Sequence, residues 1–96
     1  MAKIIRVIQV VPSSPDLDRE EFVKNIVKEQ LALEAGVEFM GIKEQPMVFG
    51  LYSIDIYAQA DDTEEGKQQL DKFEKLLEIR EELQSVEVTT ETLASH

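Results

Sequence analysis

The densest run of side chains able to ligate or exchange protons is residues 61–65, DDTEE, where Asp61, Asp62, Glu64 and Glu65 bring together carboxylates of one sign. Calcium and magnesium collect several carboxylate oxygens, so a hard cation is the chemistry such a run suggests. It has neither the spacing of an EF-hand loop nor its glycine, and acidic residues at the start of a helix are accounted for by capping and by the helix dipole. No metal site is assigned. The sole histidine, His96, has no partner nearby in sequence, so neither a general-base nor a ligand role has support. There is no cysteine, which excludes disulfides and thiolate metal sites. Nucleophile motifs, phosphate-cradling glycine runs and paired acids do not stand out either. An enzyme reading is therefore unsupported, and no cofactor is implied.

The distinctive stretch is apolar. Residues 45–60, QPMVFGLYSIDIYAQA, form the longest β-favouring run in the chain. From Val48 the even positions are Val48, Gly50, Tyr52, Ile54, Ile56, Ala58 and Ala60, while the odd ones include Ser53, Asp55 and Gln59, a period of two expected of a strand with one dry face. Phe49 and Leu51 share parity with Ser53 and Asp55, which places two large apolar side chains on the wet face. Pro46 lacks an N–H for a ladder and sets a bend just before Phe49, at the rim of a sheet. Composition and spacing leave two readings of Phe49 and Leu51 equally open. They are a docking surface for a partner, or they are ordinary surface residues or a homodimer contact.

The chain has 96 residues, enough for one domain spanning 1–96 with a core of its own. Twenty acidic against ten basic residues give a formal charge of −10, which argues against nucleic acid as a direct ligand and points to a basic protein surface as partner. No apolar run approaches bilayer length and no signal pattern opens the chain, so the expected location is the cytoplasm, without membrane contact.

The elements that must position these residues follow from local pattern. Residues 3–11, KIIRVIQVV, predict a strand of ambiguous parity, in which Ile4, Ile8 and Val10 share a face with Arg6 while Ile5, Val7 and Val11 share the other with Lys3 and Gln9, the even face being preferred as the inward one. The turn cluster at 12–16, PSSPD, ends it. A helix follows, capped by Asp16 or Asp18, with Glu20 and Glu21 in its first turn and Phe22, Val23, Ile26, Val27 and Leu33 within one stripe of about 140° at ~100° per residue. Gly36 is placed to close it. Residues 37–45 predict a second strand in which Phe39 and Ile42 disagree in parity, so either a bulge near Gly41 or an early end to pairing is needed. The strand within 45–60 is its antiparallel neighbour across a short connection through Pro46. Residues 61–65 open a second helix with Gly66, Leu70, Phe73, Leu76, Leu77 and Leu83 along one side, Gly66 allowing close approach to the sheet and Ile79 drifting off the stripe. That helix ends or tightens before Glu82. Residues 85–93 predict the last strand, Val86 and Val88 inward, Glu87 and Glu91 outward.

Strand, helix, strand, strand, helix, strand in this length predicts an α+β, ferredoxin-like βαββαβ fold, a four-stranded antiparallel sheet with two helices on one face. The other face is left bare.

With residues 45–51, QPMVFGL, in view, the chain resembles the archaeal translation elongation factor 1-beta family and the C-terminal catalytic domain of its eukaryotic counterparts. The resemblance covers nearly the whole chain. It is carried by the first strand running into 11–16, VPSSPD, by the P-x-x-F-G-L segment at 46–51, and by SVEV at 85–88. It implies the same ferredoxin-like fold, and guanine-nucleotide exchange on the GTPase elongation factor 1-alpha during protein synthesis, by a factor that binds a GTPase and is not itself an enzyme. It also implies that Phe49 contacts the GTPase, with Val48, Gly50 and Leu51 shaping the contact. A second contact lies at the end of the last strand, at Thr92 and Leu93. There the sequence departs from the eukaryotic members, which carry a basic residue reaching the metal and phosphate region of the GTPase, whereas residues 91–96, ETLASH, contain no Lys or Arg. A steric action on the GTPase's switch segments, or a weak exchange activity, follows from that departure. A module of the ACT type, sensing a small molecule or dimerising, has the same element order and is the rival expectation.

Overall fold

The computed structural model describes residues 2–47 and 51–94. Four strands, β1 (Lys3–Pro12), β2 (Glu38–Pro46), β3 (Tyr52–Asp61) and β4 (Leu83–Ala94), form one antiparallel sheet in the order β2-β3-β1-β4. Helix α1 fills the connection from β1 to β2, and helix α2 (Glu64–Glu78) the connection from β3 to β4. This is the expected ferredoxin-like arrangement.

The sheet register decides what faces the helices. Ile4 pairs with Ala60, Arg6 with Ala58, Ile8 with Ile56 and Val10 with Ile54, so the even positions of both central strands share one face. That face forms a single core with Phe22, Val27, Leu31, Leu70, Phe73 and Leu77 from the helices. Each of the fully buried side chains Ile8, Ile54, Ile56, Leu70 and Phe73 contributes roughly 1.5–3 kcal/mol by leaving water. The odd positions, among them Ile5, Val7, Gln9, Asp55 and Tyr57, line the opposite face, on which Val7, Ser53 and Gln59 are buried.

Register shifts reset parity in both edge strands. In β2, Phe39 pairs with Ala58 and Gly41 with the next residue, Tyr57, so Met40 is the extra residue and Gly41 takes φ +134°. Phe39 and Ile42 thereby both pack against the core, and of the two expected resolutions the bulge is the one adopted. In β4 the register shifts between Val88, opposite Ile8, and Thr90, opposite Val7. Glu91 comes to lie opposite Arg6, on the helix side, which corrects the expectation that it points away with Glu87. A bulge changes the parity of everything beyond it, and nothing in the sequence around Thr89 announces one.

Helix α1 is one continuous rod made of an α-turn (Arg19–Glu21), a π-helical segment (Phe22–Leu31) and a closing α-turn (Ala32–Ala35). Asp18 caps it, accepting from the Glu21 N–H at 3.1 Å. At the far end Gly36, φ +81°, donates to Leu33 O and Val37 donates to Ala32 O, a Schellman stop that requires the left-handed conformation. The π geometry corrects one expectation. An α-wheel places Leu33 in the buried stripe, but Leu33 is 74% exposed while Leu31, Ala32 and Ala35 are buried. With i→i+5 bonding, such as the Ala32 N–H to Val27 O, each residue turns roughly 80°, and Phe22, Val23, Val27, Leu31 and Ala32 then fall on one side with Leu33 opposite.

Thr63 caps α2, its hydroxyl accepting from the Gly66 N–H at 3.0 Å, with Glu64 and Glu65 in the first turn. The carboxylate run thus serves the helix start, as expected. Gly66 is buried, and a Cβ built there would sit 1.9 Å from the Asp61 carbonyl oxygen, so only glycine allows this approach of helix to strand. The helix ends at Glu78 with Ile79 outside the stripe and 75% exposed. Leu83, expected on the helix, is instead the first residue of β4, and it is buried there.

Candidate partner interface

The antiparallel register sends the predicted contact residues to opposite ends of the sheet. Leu93 pairs with Ile4 and Thr92 with Ile5, at the start of β1, whereas the connection from Pro46 to Tyr52 lies beyond Val10 and Ile54, at the other end. The ten residues of β3 that separate the ends span roughly 30 Å. Leu51 and the pair Thr92 and Leu93 therefore do not make one site. A partner touching both must follow much of the molecule's 42 Å long axis.

Val48, Phe49 and Gly50 lie outside the described residues. The frame on either side of them is well defined. Strand β2 closes at Pro46 and β3 opens at Tyr52, the two paired with each other, and the Met47 N–H donates to Leu51 O at 2.8 Å. This corrects the placement of Leu51 on the wet face of a strand beginning near residue 45. Leu51 precedes β3, so the alternation that holds from Tyr52 onward does not reach it, and its side chain is half-buried. The β-favouring composition of this stretch had hidden the end of β2 at Pro46 and the start of β3 at Tyr52.

Around this end of the sheet the surface is partly apolar and ringed by acid. Met47 is 45% exposed, and Ile79 projects from the turn that precedes β4. Between that turn and the loop after β1 lies an open groove of about 840 Å³, with Ser13, Leu17, Ile79 and Arg80 on its walls. Ser13 ties the two segments together, its N–H donating to Glu82 O at 2.7 Å and its hydroxyl to Glu81 O at 3.0 Å. Arg80 donates to both Glu82 carboxylate oxygens, at 3.1 and 2.7 Å. That bidentate bond holds the Glu82 carboxyl below its usual range and raises Arg80.

The opposite end is built around Arg6, buried at 7% relative exposure on the helix face of β1. Its guanidinium donates to Asp71 at 2.7 Å and to Glu91 at 3.3 Å, with Glu74 at 3.7 Å. Burial pulls the Arg6 pKa down, but the Asp71 hydrogen bond and the Glu91 charge outweigh it, and the group stays charged. Glu74 is raised, by burial first and then by the Glu78 charge, against the pull of Arg6. The clamp joins α2 and the end of β4 to β1, and so fixes the strand that carries Thr92 and Leu93. Both are exposed, Leu93 at 61%. The sequence left the parity of the first strand open, and the register, Arg6 opposite Ala58, is what places this charge on the inward face.

Sequence reasoning missed Arg19. It stands in the first turn of α1, next to the Asp18 cap, where a cation opposes the helix dipole, and that mismatch was the signal. No group of three or more His, Cys, Asp or Glu side chains among the described residues could hold a metal ion. Likewise no helix among the described residues is long and apolar enough to cross a membrane. What this geometry offers is two separate ends on one sheet, with Leu51 at one and Thr92 and Leu93 at the other.

Comparison with known proteins matches residues 5–92 to the EF-1 guanine nucleotide exchange domain family. The chain is 32% identical to the elongation factor 1-beta of Methanocaldococcus jannaschii over 94 residues, covering 98% of this chain and all of that one. It is 33% identical to the elongation factor 1-beta of Methanosphaera stadtmanae over 89 residues, 93% of each. To that of Methanococcus vannielii it is 28% identical over 88 residues, 92% of this chain and 93% of the other.

Proposed function

The chain belongs to the EF-1 guanine nucleotide exchange domain family, and on that premise we propose that it promotes GDP release from elongation factor 1-alpha during protein synthesis. The observation that carries the reading is the family match, which runs from β1 through the hairpin connection to Thr92. The factor performs no covalent step. It acts by binding the nucleotide-free GTPase more tightly than the nucleotide-bound form. Phe49, flanked by Val48, Gly50 and Leu51, is the anchor at the hairpin end, where an aromatic side chain in a desolvated pocket gives the largest share of binding energy. Thr92 and Leu93 make a second contact at the other end, so the GTPase is engaged across the length of the sheet. The acidic surface, formally −10, favours a basic partner face and speeds encounter at low salt.

Exchange of this kind is negative coupling between two ligands of one GTPase. By linkage, a factor that weakens nucleotide binding is itself weakened by nucleotide to the same extent, typically 1–3 kcal/mol. Excess GDP therefore dissociates the complex. The action is read as steric, centred on Phe49, and residues 91–96 contain no Lys or Arg. Deleting residues 94–96 is expected to leave the rate nearly unchanged, whereas a tail-inserted mechanism predicts a large loss. The measurement is release of a fluorescent GDP analogue under excess unlabelled GDP, with full chain and truncation compared. No acceleration at saturating protein, with a GTPase shown to be active, refutes the reading.

A further inference from the structure

Strand β2 is an edge strand. It is held by β3 alone, its ladder is interrupted at Gly41, and its last residues, Lys43 to Pro46, are exposed. Between it and α1 lies an open groove of about 460 Å³ bordered by Val23, Lys24, Phe39, Ile42 and Glu44, so the helix layer does not pack down on the strand here. Beside the groove, Arg19 joins the helix to both strands. The Arg19 guanidinium carbon stands 3.7 Å from the centroid of the Tyr52 ring, and its Nε donates to Glu44 Oε2 at 3.0 Å. Glu44 lies on the last turn of ladder in β2, and Tyr52 is the first residue of β3, paired with Pro46.

The two contacts use different parts of one planar group. The face of the guanidinium lies on the ring and its edge meets the carboxylate, a combination that lysine, a point charge on a flexible stem, cannot reproduce. Each contact also offsets the poor position of a cation at a helix N-terminus. We infer that Arg19 is a positioning residue for the β2–β3 hairpin, fastening the first turn of α1 to both strands at the hairpin's base. Its consequence for exchange rests on the reading of this end as a docking surface. Its consequence for the hairpin does not.

The experiment therefore has two readouts, taken on the full chain with Arg19→Ala and Arg19→Lys. The first is amide hydrogen exchange at Met47, whose N–H closes the hairpin onto Leu51 O. Arg19→Ala is expected to speed it several-fold while amides in the middle of β1, such as Val7, keep their wild-type protection, and Arg19→Lys is expected to restore only part of the loss. Unchanged exchange at Met47, or an equal acceleration at Met47 and Val7, overturns the inference. The second is the concentration of protein giving half-maximal GDP release, expected to rise several-fold for Arg19→Ala with the plateau rate kept. If Met47 loosens but this concentration stays fixed, the role of Arg19 in docking is overturned. If the wild-type chain gives no release at all, the exchange reading fails, and the Met47 result alone decides whether Arg19 positions the hairpin.

Discussion

At each end of the sheet an arginine joins elements far apart in sequence, Arg6 at one and Arg19 at the other, and the two are used in different ways. Arg6 is buried, sits on the core face of a central strand and gathers Asp71, Glu74 and Glu91 from two other elements. Arg19 is at the surface and bridges one helix turn to a hairpin base. Removing the first empties a buried position on the core face, although Asp71 and Glu91 stay open to solvent. Removing the second frees a half-exposed carboxylate and a ring face and opens no buried space. The end that holds β4 in register is consequently tied through a buried guanidinium, and the end where β2 and β3 meet is tied through a more exposed one.

That contrast is sharpest at Gly66, beside Asp61 on the Arg6 end. Gly66→Ala drives a methyl into the Asp61 carbonyl, a backbone atom that cannot swing aside, and should cost about 3 kcal/mol or more, read as a lowered midpoint in urea unfolding. A near-neutral result would show that α2 slides freely on the sheet.

Arg6→Ala ranks next. It is expected to cost about 2 kcal/mol, below the full penalty for breaking a buried ion pair because Asp71 and Glu91 remain open to solvent, and Arg6→Met should recover much of it by filling the space. Equal losses for both substitutions would mean that charge rather than packing holds β4 in place.

At the hairpin end the expectation reverses. Phe49→Ala should weaken binding to the GTPase by about 2 kcal/mol or more while changing unfolding free energy by under about 0.5 kcal/mol. A loss of several kcal/mol in stability would place Phe49 in the core and erase the difference between the ends.

The smallest effect is a pH dependence at the Arg6 end. Glu74 has its pKa raised in the fold, so its contribution is fully present below the unfolded carboxylate pKa and is lost as pH rises through the folded value. Glu74→Gln removes that loss, and the variant should be as stable as wild type in acid and slightly more stable at neutral pH. Thermal melts across the carboxylate range check this, and a variant that is less stable at neutral pH would show that the Arg6 attraction dominates instead.

By itself the sequence determined what depends on neighbours a few residues apart. Period-two alternation in 52–60, an aspartate cap at Asp16 or Asp18, the acidic first turns, the Gly36 stop and the tight approach at Gly66 were all legible, because each is a local constraint on backbone or side-chain direction. The element order was enough to predict the sheet. Tertiary structure alone decided the rest. The bulge at Thr89 that turns Glu91 toward Arg6, the π-helical winding that exposes Leu33, and the handing of Leu83 from helix to strand are set by how far elements must reach to close one core. That is a property of their packing together, and no local pattern encodes it. The separation of Leu51 from Thr92 and Leu93 has the same origin, since antiparallel pairing over ten residues sends them apart. Arg19 drew no notice beside its own cap, because its partners stand 25 and 33 positions away, on strands that only the folded chain brings within 4 Å.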